Sequence, residues 1–474
     1  MKTRIIVLFS VLAAAFISVC AQTLDEAKIW FQEGRYADAL PVFRAEYEIN
    51  PNNPSLNLWI GISEYKTGNE FGAEKYLQFA SKKNQVDACL YLGDLYAKTY
   101  RMKEAEDEYA KYERAKRRDK DALAVLEPRR EYAERLSSLL RKVEDVQIID
   151  SVVVEKKAFL SAYKLSAASG SLLPKNEFFD TQNEDDNVLY INELKDKIYY
   201  GQGDPASGLD LYTMEKLLGN FGNEKRLPAS VNTSGDEAYP FVMPDGLTLY
   251  FASTGNGSIG GYDLFVTRYN LSADSYLNPS WQNMPFNSPF NDYMMAIDED
   301  RGIGWFASDR YQPEGKVCVY TFIPSRSVVL LDNNDEQYLA KRARIASIRD
   351  SWREGVDYSP LLADLQSSDS SPAQESKGDF SFVINDEHSY HSLSDFNSDK
   401  ARNLFSQAEE KEKRLSSMKQ ELAEKREQFA NSGGNNSALR TSILQLEQET
   451  ESLWKETEQL KIQSRNEEIR SNTH

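Results

Sequence analysis

Three alanines spaced 34 and then 32 residues apart constrain the N-terminal third of this chain more than any other feature. Aligning Ala39, Ala73 and Ala105 brings Phe43, Leu77 and Tyr109 into one column and Ala27, Gly61 and Gly93 into another. A period in this range marks stacked helical units, none of which can bury its apolar face alone. The small columns let two antiparallel helices approach closely, and the bulky column seals the seam between them. Pro51 ends the first helix pair, and Gly34 and Gly68 mark the turns within pairs. The stretch from Asp121 to Leu140, apolar at Leu123, Leu126, Tyr132, Leu136 and Leu139, supplies a closing helix.

Ile60-Gly61 and Leu92-Gly93, with Tyr96 beyond the second, resemble the Leu-Gly step and the following aromatic of the tetratricopeptide repeat. The resemblance implies an α-solenoid over residues 22–142 that binds peptides on the inner face of the first helix of each pair. Carried over by position, that face holds Leu24, Lys28 and Phe31, then Leu58, Ile62 and Tyr65, then Leu90, Asp94 and Lys98. Its apolar members equally suit packing between repeats, and both uses stay open. Lys28, Phe31, Leu58, Ile62, Tyr65, Asp94 and Lys98 are the candidate partner-binding residues. The run Lys111, Arg114, Lys116, Arg117, Arg118, Lys120 is the one basic cluster. It reads as a solvated helix face or a dock for an acidic partner, and it lacks the interleaved aromatics of a nucleic-acid site.

From Val146 to Val154 the pattern turns β-branched, and to about residue 325 the chain is rich in aromatics, Gly, Asp and Asn. Three segments recur at steps in the low fifties: Lys197-Ile198-Tyr199-Tyr200, Leu249-Tyr250-Phe251-Ala252-Ser253 and Gly304-Trp305-Phe306-Ala307-Ser308. Each precedes a second strand, at Leu209 to Tyr212, Gly261 to Phe265 and Val317 to Tyr320. The series Asp236-Glu237, Pro240, Asp245-Gly246, Leu249, Phe251, Ser253 resembles the PD40 (WD40-like) blade of TolB-type proteins, which implies a β-propeller-like domain over 143–325. In the third unit Asn291-Asp292 and Asp298 replace parts of the opening, while Ser308-Asp309-Arg310 keeps a common blade ending. At about 40 to 50 residues per blade roughly four blades are expected, with closure from a later strand such as Phe380 to Asn385. Asp236, Asp245 and Asp263 read as turn formers more readily than as calcium or substrate ligands. Gly255-Asn256-Gly257-Ser258-Ile259-Gly260 matches the dinucleotide fingerprint by letter. A strand follows it where a helix would have to hold the pyrophosphate, so no nucleotide is expected.

Gln366 to Gly378 is dominated by Ser and reads as a connection. Beyond it Phe380 to Ile384 alternates as a strand. From Ser398, Leu404, Ala408, Leu415, Met418, Leu422 and Phe429 fall on heptad spacing. Ser432 to Asn436 interrupts the pattern, and Leu439, Ile443, Leu446, Leu453 and Leu460 resume it. Each arm has a narrow apolar seam that needs a partner. An intramolecular antiparallel hairpin is expected, with a homodimer through these helices as the alternative.

Lys2 and Arg4, the apolar run Ile5 to Val19, and Val19-Cys20-Ala21 have the form of a secretory signal peptide over 1–21. Val19 stands where a lipobox wants a small residue, which disfavours lipidation of Cys20. The expected order is then the signal peptide, helical repeats to 142, a propeller-like domain to 325, a linker to 397 and a helical hairpin over 398–474: a multidomain α plus β chain. A formal charge of -18 works against nucleic acid and anionic membranes. Cys89 and Cys318 fall in different domains, and His388, His391 and His474 have no ligand spacing. No catalytic residue, cofactor or metal is assigned. The order resembles periplasmic and outer-membrane-associated proteins, including a type IX secretion component that ends in an OmpA-like module. Here the hairpin replaces that module, so peptidoglycan binding does not carry over. The expected function is a non-enzymatic envelope scaffold with protein partners. A propeller-based module for a glycan or cell-wall ligand is the alternative.

Overall fold

The computed structural model describes residues 23–180, 187–204, 208–217, 220–325, 327–366, 382–384, 389–432 and 436–472. The expected signal peptide with Cys20, most of the Ser-rich connection, Phe380, His388 and His474 lie outside these residues. The chain divides into two compact units, Met1–Arg141 and Lys142–His474.

In the first unit the helices are α1 (Leu24–Gln32), α2 (Tyr36–Ile49), α3 (Pro54–Lys66), α4 (Glu70–Lys82), α5 (Val86–Lys98), α6 (Met102–Lys116) and α7 (Lys120–Leu140). Thr23 and Glu26 form a capping box on α1, Asn53 caps α3 ahead of Pro54, and Asn69 and Asp119 cap α4 and α7. Between α1 and α2, α3 and α4, and α5 and α6 the backbone turns left-handed, at Gly34 (φ +80°), Gly68 (φ +87°) and Tyr100 (φ +59°). The next N–H then returns to a carbonyl five residues back: Arg35 to Trp30 at 2.8 Å, Asn69 to Glu64 at 2.9 Å and Arg101 to Tyr96 at 2.8 Å. Tyr100 takes this conformation at a cost of about 1–2 kcal/mol, which burial of its ring offsets.

The aligned columns occupy equivalent places. Ala39, Ala73 and Ala105 are fully buried in α2, α4 and α6, and Phe43, Leu77 and Tyr109 are buried one turn further along. A Cβ on Gly61 would lie 2.7 Å from Leu77 Cγ, and one on Gly93 would lie 2.3 Å from Tyr109 Cε1. The glycines therefore set how closely α3 approaches α4 and α5 approaches α6.

The second unit opens with β1 (Gln147–Glu155), two 3-10 turns, β2 (Ser171–Pro174) and the short α8 (Lys175–Phe179). Then come β3 (Val188–Ile191), β4 (Lys197–Asp204), β5 (Gly208–Leu217), β6 (Asn220–Arg226), β7 (Glu237–Val242), β8 (Thr248–Ser253), β9 (Asp263–Asn270), β10 (Ser275–Tyr276) and β11 (Ser280–Trp281). The last long strands are β12 (Asp292–Asp298), β13 (Ile303–Ser308) and β14 (Lys316–Ile323). They form three antiparallel sheets among the described residues, where about four blades were expected: β2-β3-β4-β5-β6, then β7-β8-β9-β10 with β11 also on β9, then β12-β13-β14-β1.

Each sheet carries the same aromatic stack between two neighbouring strands. Tyr200 faces Tyr212 at 6.3 Å, Phe251 faces Phe265 at 5.9 Å and Phe306 faces Tyr320 at 5.1 Å between ring centroids. In the second and third sheets the strand before this pair has a bulge, with Tyr239 and Met294 at positive φ.

The third sheet is completed from upstream. β1 pairs with β14 from Gln147 opposite Ile323 to Glu155 opposite Lys316. This corrects the expectation that a strand near Phe380 closes the sheets. Instead β15 (Phe382–Val383) pairs with β16 (Ser389–Tyr390) in a separate ribbon. Its aromatics pack with Phe396 and Phe405 at the base of the hairpin, a cluster that satisfies them locally.

Between β14 and that ribbon lie α9 (Glu336–Arg344) and α10 (Ser359–Gln366). Arg310 has no exposed surface. Its guanidinium donates to Ser308 Oγ at 2.8 Å, Pro285 O at 2.7 Å, Phe286 O at 2.8 Å, Ala343 O at 3.3 Å and Asp292 Oδ1 at 2.5 Å. Helices α11 (Asp399–Asn431) and α12 (Ser437–Asn472) then pair along Leu415, Met418, Leu422 and Phe429 against Ile443, Leu446 and Leu453. Their seams cover each other, as the intramolecular hairpin requires. The buried carboxylate of Glu468 accepts from Tyr390 Oη at 2.9 Å and from the N–H groups of Asn397 and Ser398 at 2.7 and 3.1 Å, at the start of α11. Arg426 of the hairpin also donates to Lys216 O on β5 at 2.9 Å.

Two substitutions test these contacts. Gly93→Ala should destabilise the chain by about 1–3 kcal/mol despite its better helix propensity. The measure is the urea midpoint, and the cost should shrink in a Tyr109→Leu background where the overlap is relieved. Arg310→Lys keeps the charge, but three donors cannot serve five acceptors. The expected loss is about 3–5 kcal/mol in thermal or urea unfolding.

Candidate partner-binding face

On α1, α3 and α5 half-buried aromatic rings lie beneath cationic side chains. Lys28 Nζ is 5.6 Å from the Trp59 ring centroid, Lys66 Nζ 5.5 Å from Tyr91 and Lys98 Nζ 5.5 Å from Tyr65. The α3 and α5 elements meet through Tyr65 and Tyr91, edge to face at 5.4 Å. Helical spacing explains the arrangement: Tyr91, Asp94 and Lys98 follow at three and four residues along α5 and so share one of its faces.

Opposite charges hold this surface in place. Lys98 pairs with Glu70, Lys28 with Asp25 at 2.8 Å, and Arg129 from α7 with Asp94 at 3.1 Å. Asp94 also accepts the Tyr109 hydroxyl at 2.9 Å. Burial pushes the Asp94 carboxyl above the usual range, while Arg129 and Tyr109 oppose that shift. Burial, then the charge of Asp94, raises the Tyr65 phenol. The face can offer ring edges, hydroxyls and cations over rings to an extended peptide.

The predicted residues divide into groups. Tyr65, Asp94 and Lys98 come together. Lys28 and Phe31 belong to a neighbouring aromatic group in which Phe31 meets Phe43 at 6.0 Å and Phe43 stacks on Trp59 at 5.3 Å. Leu58 is half-buried, whereas Ile62 is only 5% exposed and serves the core. Trp59, Lys66, Tyr91 and Arg129 lie outside the expected set. The first three adjoin residues assigned to this face, at Leu58, Tyr65 and Leu90. Arg129 lies on α7, outside the aligned period.

In the second unit the acidic residues hold the chain's own backbone. Asp245 accepts the N–H groups of Leu247 and Thr248, each at 2.8 Å, around Gly246 at φ +67°. Asp236 accepts the Leu209 N–H at 2.8 Å. Asp263 accepts the N–H groups of Ile259 at 2.8 Å and Gly260 at 3.3 Å and the Trp281 indole at 2.6 Å. The Gly-rich loop thus directs two of its N–H groups at a side chain of the protein. Among the described residues no group of three or more His, Cys, Asp or Glu is set to hold a metal.

Burial, then the charge of Asp292, pushes the Asp263 carboxyl up to about 7. A carboxyl whose pKa rises on folding stabilises the fold at low pH and loses that contribution as pH climbs through the folded value. The native chain should therefore gain stability from pH 8 to pH 5, by about 2.5 kcal/mol from this group. Asp263→Asn should flatten the part of the urea-midpoint profile that belongs to it.

No protein-family model, curated protein or solved structure matches this chain.

Proposed function

We propose that the chain is a non-enzymatic scaffold of the cell envelope, exported to the periplasm, that holds a protein partner as an extended peptide across the face built by α1, α3 and α5. The observation that carries this reading is the row of half-buried rings under Lys28, Lys66 and Lys98. Tyr and Trp anchors, here Tyr65, Tyr91 and Trp59, dominate binding energy at protein interfaces. A tetratricopeptide-type solenoid is supported by the equivalent left-handed turns at Gly34, Gly68 and Tyr100 and by the close approach at Gly61 and Gly93. A propeller-like second unit is supported by its three matching aromatic stacks. The internal commitments of Asp236, Asp245 and Asp263 favour a structural role for these acids over a catalytic one. Export rests on the composition of residues 2 to 21.

Cross-linking pull-down from an envelope fraction tests the proposal. The wild-type chain should recover a defined set of proteins. Tyr65→Ala with Tyr91→Ala, verified as folded by circular dichroism, should lose them by roughly thirtyfold, the equivalent of about 2 kcal/mol. Equal recovery by the folded double variant would overturn the reading.

A further inference from the structure

The outer edge of β1 differs from every other sheet edge among the described residues. β2 is four residues long and ends in Pro174, β6 carries Glu224, Lys225 and Arg226, and β10, β11, β15 and β16 are two residues each. β7 and β12 are buried along their whole length. By contrast β1 spans nine residues and leaves Asp150, Ser151, Val152 and Val153 exposed in succession, with Val152 at 46% and Val153 at 50%. From Ser151 to Val154 this edge carries neither charge nor proline, and such a β-branched stretch is a template for another strand.

The ladder fixes which groups face outward. The Lys156 N–H donates to Gly315 O, so Glu155 and Lys316 form a pair without mutual hydrogen bonds. Alternation then points Val154 and Val152 at β14 and leaves the N–H and C=O groups of Ser151, Val153 and Glu155 on the open side. Nearer the start of the strand, Ser351 and Trp352 cover Ile148 through hydrogen bonds of 2.9 and 2.8 Å. The Ser151 N–H takes the side chain of Asp150 at 2.8 Å, a local substitute for a missing neighbour.

We propose that this edge pairs antiparallel with the same edge of a second copy, about a two-fold axis through Val153. Only registers that match outward residues with outward residues can form the ladder. Among these, centring on Val153 sets Val153 against the partner's Val153, Val152 against the partner's Val154 and Ser151 against the partner's Glu155. Both exposed valines gain apolar neighbours. Asp150 falls across from the partner's Lys156, and no acid faces an acid. The result joins β14-β1 to its symmetry mate in one continuous sheet. So short an interface buries less than the roughly 1,000 Å² of a stable one, so the dimer is weak and forms with rising concentration.

Sedimentation equilibrium of the full chain tests this, together with cysteine variants. The wild-type mass should rise toward the dimer with concentration. Val153→Lys, which puts like charges on the axis at an exposed site, should raise the dissociation constant at least about tenfold with an unchanged melting curve. In a Cys318→Ala background, which removes the thiol directly across from position 153 on β14, Val153→Cys should give a disulfide-linked dimer on mild oxidation well above the level of the Cys318→Ala parent, because the two Cα atoms would lie about 5.5 Å apart. Ser151→Cys should not. A wild type that stays monomeric at concentrations on the order of 1 mM, near the weakest affinity the interface could usefully have, would overturn the proposal. So would a dimer indifferent to a folded Val153→Lys, or equal cross-linking of the two cysteine variants. Should Val153→Lys fail to fold, the cysteine comparison decides.

Discussion

A guanidinium shut away from water must find acceptors within the protein, and around Arg310 that demand draws separate parts of the second unit to one place. Its donors take the carbonyls of Pro285 and Phe286 in the approach to β12, Asp292 at the start of that strand, and Ala343 in the last turn of α9. The Ala343 carbonyl belongs to a helix end that has no intrahelical partner, and a cation is the favoured group there. Asp292 in turn accepts the N–H and hydroxyl of Ser288 at 2.6 and 2.9 Å. Charge balance, helix capping and strand entry therefore rest on one side chain. The equivalent position of the second sheet is Gly255, where a Cβ would lie 2.0 Å from Thr233 Oγ1. There Thr233 and Glu237 fill the space and satisfy each other at 2.6 Å.

The sheets are also tied together by side chains that imitate a strand. Asn232, ahead of β7, accepts the Leu211 N–H at 2.8 Å and donates to Leu211 O at 3.1 Å on β5. Asn287, ahead of β12, does the same to Leu264 on β9, at 2.6 and 2.9 Å. Four residues further on, Asp236 and Asn291 accept the N–H groups of Leu209 and Tyr262 at 2.8 and 3.1 Å. Each connection thus serves backbone groups of the preceding sheet at two points before it starts the next one. An amide that donates and accepts at once fits this task, and a carboxylate could meet only half of it.

How much of this was legible depended on the distance over which each feature acts. The helical columns stood out because Gly61 meets Leu77, and Gly93 meets Tyr109, within 16 residues of sequence. Tyr200, Phe251 and Phe306 were visible as aromatics in short alternating runs. The addition of β1 to β14 was not visible, since its partners lie more than 150 residues apart and a β-branched run does not name its neighbour. The strand at Phe382 was read from its alternation, but alternation says nothing of pairing, and local aromatics claimed it. Asn232 and Asn287 are legible in principle, because the repeat continues upstream of Glu237 and Asp292 as Asn-Thr-Ser-Gly-Asp-Glu against Asn-Ser-Pro-Phe-Asn-Asp. Of the candidate face, three residues converged on α3 and α5. Arg129, which neutralises Asp94, lay beyond the reach of any period.

The Asp245-Gly246 turn shows why one residue can answer to two constraints that the sequence presents as one. Its conformation, φ +67°, already favours glycine, because Asp245 draws the following N–H groups into a tight reversal. That requirement alone would also tolerate Asn or Asp. The ring of Trp454 on α12 removes this latitude: a Cβ at Gly246 would lie 3.2 Å from Trp454 Cζ2, tighter than ordinary van der Waals contact. The bare backbone is thus a seat for the hairpin, close to the contact between Lys455 and Asp274 at 3.5 Å. Helices of 33 and 36 residues with narrow seams have little other apolar surface with which to hold an orientation. Their docking depends on places such as this, where the turn chemistry of a sheet leaves room for a ring.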